Sequence, residues 1–169
     1  MTNPARLLLL AATLSLAACG FHLRGSDLKG MQFAFKALYL KAPGETPFVS
    51  DLRRALVAGK VPTVNAADQA ELVLEVVSEQ TTKQILSLSG SGRVQEYQLF
   101  YRVSLRAYDT KQNDWLPADE IMLSRILAYD DAQVLAKEQE EALLYKDMRT
   151  DAVSQALRRL SRAKPHENP

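Results

Sequence analysis

Cysteine is almost absent from this chain. Of its 169 residues only Cys19 carries a thiol, so no disulfide can form within it. Histidine is nearly as scarce: His22 and His166 are the two, too few to assemble a metal-ligand set. An excess of one charge is missing too. The 21 Lys and Arg face 20 Asp and Glu, which speaks against the basic stripe that nucleic-acid binding needs. Any anionic ligand must therefore be held by a local basic cluster. No apolar run is long enough to cross the roughly 30 Å of a bilayer core as a helix. Low-complexity tracts and internal repeats are lacking. So are a Ser nucleophile elbow, a Gly-rich phosphate loop and a His–carboxylate set. Gly90-Ser91-Gly92 is too short to cradle a phosphate, and Asp130-Asp131 read as a helix cap rather than paired acids. These absences argue against an enzyme.

What is present begins with Arg6, followed by the apolar run Leu7 to Leu16 and then Ala17-Ala18-Cys19. A single positive charge, a short apolar core and small residues before a break make a signal peptide. Leu16-Ala17-Ala18-Cys19 resembles the lipobox of bacterial lipoproteins. The resemblance implies a diacylglyceryl group on the Cys19 sulfur, cleavage before Cys19 and an acylated new N-terminus. This covalent lipid is the only non-protein group expected; no cofactor is. In such lipoproteins an Asp after the cysteine favours retention at the inner membrane, so Gly20 resembles an outer-membrane address. Three acyl chains exceed the two signals that stable anchoring needs. The expected organisation is a signal peptide at 1–18, a lipidated tether at 19–35, one domain at 36–162 and a flexible tail at 163–169. Losing Arg6 with the leader leaves the mature chain balanced, 20 basic residues against 20 acidic.

Lys36 to Lys41 reads as a short strand closed by Ala42-Pro43-Gly44. Thr46 as N-cap and Pro47 at the first helical position open a helix. Its apolar stripe is Phe48, Leu52 and Leu56, and Gly59 ends it. A second strand starts at Leu72 and runs to about Leu86, and Ser87 to Gly92 form a hairpin tip. The third strand alternates most clearly. Tyr97, Leu99, Tyr101, Val103, Leu105 and Ala107 share one face, with Glu96, Gln98, Phe100, Arg102, Ser104 and Arg106 on the other. Ile121 to Tyr129 makes a fourth strand, and a long helix runs from Asp130-Asp131 to about Arg162. Its buried stripe is Leu144, Tyr145, Met148, Ala152, Ala156 and Leu160. Arg158, Arg159 and Arg162 at its end suit the helix dipole. The fold class expected is α+β, a four-stranded mixed β-sheet with two α-helices on one face, in the order β-α-β-β-β-α. One sheet face stays open.

Cys19-Gly20-Phe21-His22-Leu23-Arg24-Gly25 resembles the mature N-terminus of the LptE family of lipopolysaccharide-assembly lipoproteins. Glu96-Tyr97-Gln98, Leu135-Ala136-Lys137-Glu138-Gln139-Glu140-Glu141, Met148-Arg149 and Gln155 to Leu160 extend the likeness over nearly all of the mature chain. The resemblance implies a non-enzymatic protein lying as a plug inside the outer-membrane β-barrel LptD. It also implies a part in placing lipopolysaccharide in the outer leaflet, and binding of lipopolysaccharide itself. The polar lumen of a large barrel can take a plug. From the residues, the candidates for holding lipopolysaccharide phosphates are Lys83 and Arg93 flanking the tip beside Leu88, with Arg102 and Arg106 on the open face. Pairing residues that sum to 179 sets Arg102 opposite Val77 with Glu75 and Glu79 diagonal to it, which makes a solvated cross-strand cluster the competing reading. Phe21, His22, Leu23 and Phe100 are the candidates for contacting membrane or barrel. The alternative function is a periplasm-facing lipoprotein adaptor of another envelope complex, such as barrel assembly.

Overall fold

The computed structural model describes residues 31–165. Strand β1 (Leu38–Lys41) leads into helix α1 (Pro47–Ala58). The chain returns through a two-residue strand β2 (Thr63–Val64) and a 3-10 turn at Ala67–Gln69. Three long strands follow: β3 (Leu72–Leu88), β4 (Val94–Asp109) and β5 (Asp114–Ala128). A 3-10 turn at Asp131–Gln133 opens helix α2 (Val134–Arg162). The sheet has five strands rather than four, ordered β2-β1-β3-β4-β5. The added strand, β2, is too short for any periodicity to show, and it is held parallel to β1 through Leu38↔Thr63 and Tyr39↔Val64. β1 and β3 are parallel across the α1 crossover. β3, β4 and β5 are antiparallel, as their short connections demand.

Local chemistry sets the helix ends. Thr46 Oγ1 accepts from the Val49 N–H at 3.3 Å, and Pro47 occupies the first turn where no donor is needed. Asp130 caps the 3-10 turn by accepting from the Ala132 N–H at 2.9 Å. Phe48, Val49, Leu52 and Leu56 of α1 are buried, as are Met148, Ala152, Val153, Ala156, Leu157 and Leu160 of α2. Leu144 and Tyr145 are only half-buried. The two helices pack on each other, and α2 also packs on β4 and β5. Arg149 Nε donates to Asp51 Oδ2 at 2.6 Å and ties the helices together. Leu99, Tyr101, Val103, Leu105 and Ala107 form the centre of the core. Phe35 is also buried, so the packed domain starts inside the stretch assigned above to the tether.

Two features depart from simple alternation. β5 begins at Asp114, seven residues before the expected start, although Pro117, Asp119 and Glu120 lie in that stretch. It has no neighbour beyond it in the sheet, and an edge strand tolerates proline and charge. In β3 a bulge at Val77 inserts one residue between the pairs Val76↔Leu105 and Ser78↔Ser104. A one-residue shift moves every later side chain to the opposite face. Leu72, Leu74 and Val76 therefore share the core face with Leu105 and Ala107. Beyond the bulge it is Glu79, Thr81, Lys83 and Ile85 that pair with Val103, Tyr101, Leu99 and Tyr97.

Candidate functional site

The β3–β4 hairpin carries the sequence-derived basic candidates, Arg106 before the bulge and Lys83, Arg93 and Arg102 beyond it. Lys83 lies on the helix face. Its Nζ donates to Glu141 Oε2 of α2 at 2.6 Å and sits 4.2 Å above the Tyr97 ring centroid, with the Tyr129 ring 5.9 Å away. Tyr97 and Tyr129 meet edge to face at 5.1 Å. The Tyr145 hydroxyl donates to the Thr82 carbonyl at 3.2 Å, a second tie between hairpin and helix. Arg93 lies at the tip, which is a closed turn. Gly92 N–H donates to the Ser89 carbonyl at 2.9 Å, and the Arg93 N–H to Ser89 Oγ at 3.0 Å. Gly92 has a φ of +79°, which a side chain would strain. Ile85, Leu86 and Leu88 near the tip are all exposed.

The open face holds Phe100, Arg102 and Arg106. Arg102 stands opposite Gln80 on one side and Met122 on the other, and not opposite Val77. The expected Glu75–Arg102–Glu79 cluster does not form, because the bulge turns Glu79 to the core face. There Glu79 Oε1 accepts from the Tyr101 hydroxyl at 2.5 Å. Burial pushes the Tyr101 hydroxyl well above its ordinary pKa, and the hydrogen bond to Glu79 adds to the rise. Glu75 instead takes Arg106 at 3.1 Å and Lys41 at 2.9 Å. Arg106 also lies 4.3 Å from the Tyr108 ring centroid.

Arg102 is the residue left over. Among the described residues it has no carboxylate partner, and its Nε is buried without a hydrogen bond. Its guanidinium carbon lies 5.7 Å from the Phe100 ring centroid. Met122 and Ile126 on β5, on the same face, are 57% and 58% exposed. Arg102 shares its face of the sheet with three apolar side chains, Phe100, Met122 and Ile126. The structure thus joins Arg102 with Phe100, keeps Arg106 in its own ion cluster and sets Lys83 on the opposite face. Cys19, Phe21, His22 and Leu23 fall outside the described residues.

A family model for lipopolysaccharide assembly, LptE, matches residues 35–160. The chain belongs to the LptE family. That makes it a non-enzymatic protein of lipopolysaccharide assembly, without a cofactor. It is 28% identical over 150 residues to the LPS-assembly lipoprotein LptE of Pectobacterium atrosepticum, covering 88% of this chain and 80% of that one. In fold it is similar to lipoprotein B of Nitrosomonas europaea, with a TM-score of 0.71 at 43% identity, over 84% of this chain and 90% of the other. Rare lipoprotein B of Shewanella oneidensis gives a TM-score of 0.65 at 28% identity, over 72% and 91%. No helix of the described residues is long and apolar enough to cross a membrane.

Sequence reasoning missed the partners of Lys83. The alternation of β4 places Tyr97 on the core face, but Tyr97, Tyr129 and Glu141 meet Lys83 only because the bulge turns it toward α2. No local signal in β3 marks Val77 as the bulge.

Proposed function

We propose that this LptE-family chain is an outer-membrane lipoprotein, anchored through lipid on Cys19, that occupies the lumen of an LptD-type β-barrel. There it helps assemble the barrel and takes part in inserting lipopolysaccharide into the outer leaflet. The family match over residues 35–160 carries this reading. The geometry supports it by supplying two unlike surfaces on one domain. The open sheet face, with Arg102, Phe100, Met122 and Ile126, is the one that meets the barrel wall. The hairpin end brings Arg93 beside exposed Ile85, Leu86 and Leu88, a cation next to apolar surface, as a phosphorylated and acylated ligand requires. Lys83, already neutralised by Glu141, braces that end and contributes less charge to the ligand. Arg106 holds the sheet with Glu75 and Lys41. Phe21, His22 and Leu23, next to the lipidated residue, contact membrane or barrel.

Affinity capture of the lipidated protein from detergent-solubilised outer membranes tests the reading. A large barrel protein should come down with it, and recovery without one contradicts the proposal. Cys19→Ser should mislocalise the protein more than it weakens binding to the barrel.

A further inference from the structure

We propose that the C-terminal end of α2 and the start of β5 form a second anion site, one that takes a phosphate group. A groove of about 430 Å³ opens there between Trp115 and Leu116 on β5 and Gln155, Arg158, Arg159 and Arg162 on α2. Asp119 also lines it and uses up one of the three cations, since Arg159 Nη1 donates to Asp119 Oδ2 at 2.5 Å. The same guanidinium reaches the Glu120 carbonyl at 3.4 Å. Arg158 and Arg162 have no carboxylate partner among the described residues. They stand four residues apart on one helix, where like charges face each other and repel. The negative end of the helix dipole favours each of these cations and opposes an anion. The pair of guanidinium groups must outweigh it for an anion to bind.

An anion seated between the two guanidinium groups removes the conflict. Arginine offers paired N–H donors in a fixed fork that fits phosphate oxygens, and Gln155 adds an amide donor. The Trp115 ring and Leu116 supply an apolar wall, so the groove also suits a phosphate carried on an apolar body. The site is far in sequence from the hairpin tip and uses none of its residues. It does not depend on the barrel-plug reading.

Trp115 is the only tryptophan in the chain, so its emission reports this groove alone. The test is calorimetric titration of the lipidated protein in nonionic micelles, with Trp115 emission followed in parallel. One arm adds inorganic phosphate; the other dopes the micelles with phosphatidic acid, with phosphatidylcholine as control. Saturable binding that also shifts Trp115 emission supports the site. A response to phosphate alone indicates a soluble ligand, and a response only to phosphatidic acid indicates a lipid headgroup. Arg158→Gln with Arg162→Gln should weaken binding by about tenfold or more, roughly one lost charge-assisted bond. The melting temperature should stay unchanged. If that pair fails to fold, Arg158→Lys and Arg162→Lys keep the charge but remove the fork, and each should still weaken binding severalfold. No saturable binding in either arm overturns the proposal. So does binding heat without a change at Trp115, or unchanged affinity in the folded variants.

Discussion

Lys83 Nζ lies 2.6 Å from Glu141 Oε2, although the two residues stand 58 positions apart. This pair fastens the far half of the β3–β4 hairpin to the first turns of α2, where few residues of either element are buried. An exposed ion pair contributes only about 0.2–1 kcal/mol. Its effect is therefore local order more than global stability.

Lys83→Met should leave the unfolding midpoint nearly unchanged. Amide exchange should quicken over residues 80–88 and in the first turns of α2. Arg93→Glu should do the reverse, leaving exchange alone while weakening lipopolysaccharide binding. Exchange mass spectrometry and a lipopolysaccharide pull-down on both variants check this. Equal binding loss in the two would return Lys83 to a direct ligand role.

The Val77 bulge makes a sharper claim. Deleting Val77 removes the extra residue, so Val76↔Leu105 and Ser78↔Ser104 become adjacent pairs and every other side chain of β3 keeps its face. The deletion should therefore still fold and cost only about 1–2 kcal/mol, from the lost local twist rather than from any side chain changing face. Val77→Ser should cost less than about 0.5 kcal/mol, since the side chain is 47% exposed. Urea unfolding of both variants measures the contrast.

Tyr101 and Glu79 set the alkaline limit. The folded Tyr101 hydroxyl ionises well above the ordinary tyrosine range, through burial first and Glu79 second. A raised pKa means that its stabilisation is complete below about pH 10 and is lost as the pH rises beyond it. Tyr101→Phe should flatten that alkaline loss. At neutral pH it should cost about 1–3 kcal/mol, because Glu79 loses its donor and its Oε2 already lacks one. Unfolding curves near pH 7 and pH 11 separate the two effects.

Asp51 sets the acid limit. Burial alone would raise its pKa, but the Arg149 hydrogen bond and charge, with Arg54 beside it, hold the carboxyl below 3.8. With a depressed folded value, the stabilisation is present above the unfolded pKa and is lost as pH falls through the folded one. Arg149→Met should move the onset of acid unfolding to higher pH. At neutral pH it should cost about 1 kcal/mol, discounted because both side chains are partly exposed. Stability measured from pH 2 to pH 7 checks the direction.

Much of the fold was legible because its signals were local and strong. Thr46-Pro47, the α1 stripe and the alternation of β4 each follow from one stretch of chain. β2 was too short to carry a pattern, and the start of β5 was hidden by Pro117 and its acidic neighbours, which only an edge position accommodates. The candidate site was less legible. Register depends on two strands at once, and the single extra residue at Val77 moved Lys83 to one face and left Arg102 without the acidic neighbours expected of it. The lone Arg102 beside Met122 and Ile126 thus emerges only from the pairing of three strands.

The proposed role depends most on the open sheet face meeting a barrel. Lipidated protein carrying Arg102→Glu, Met122→Asp and Ile126→Asp, captured from detergent-solubilised outer membranes beside the unaltered protein, tests it directly. The unaltered protein should bring down a large β-barrel, and the folded variant should lose most of it. Equal recovery of the barrel by both proteins, or no barrel with either, would contradict that role.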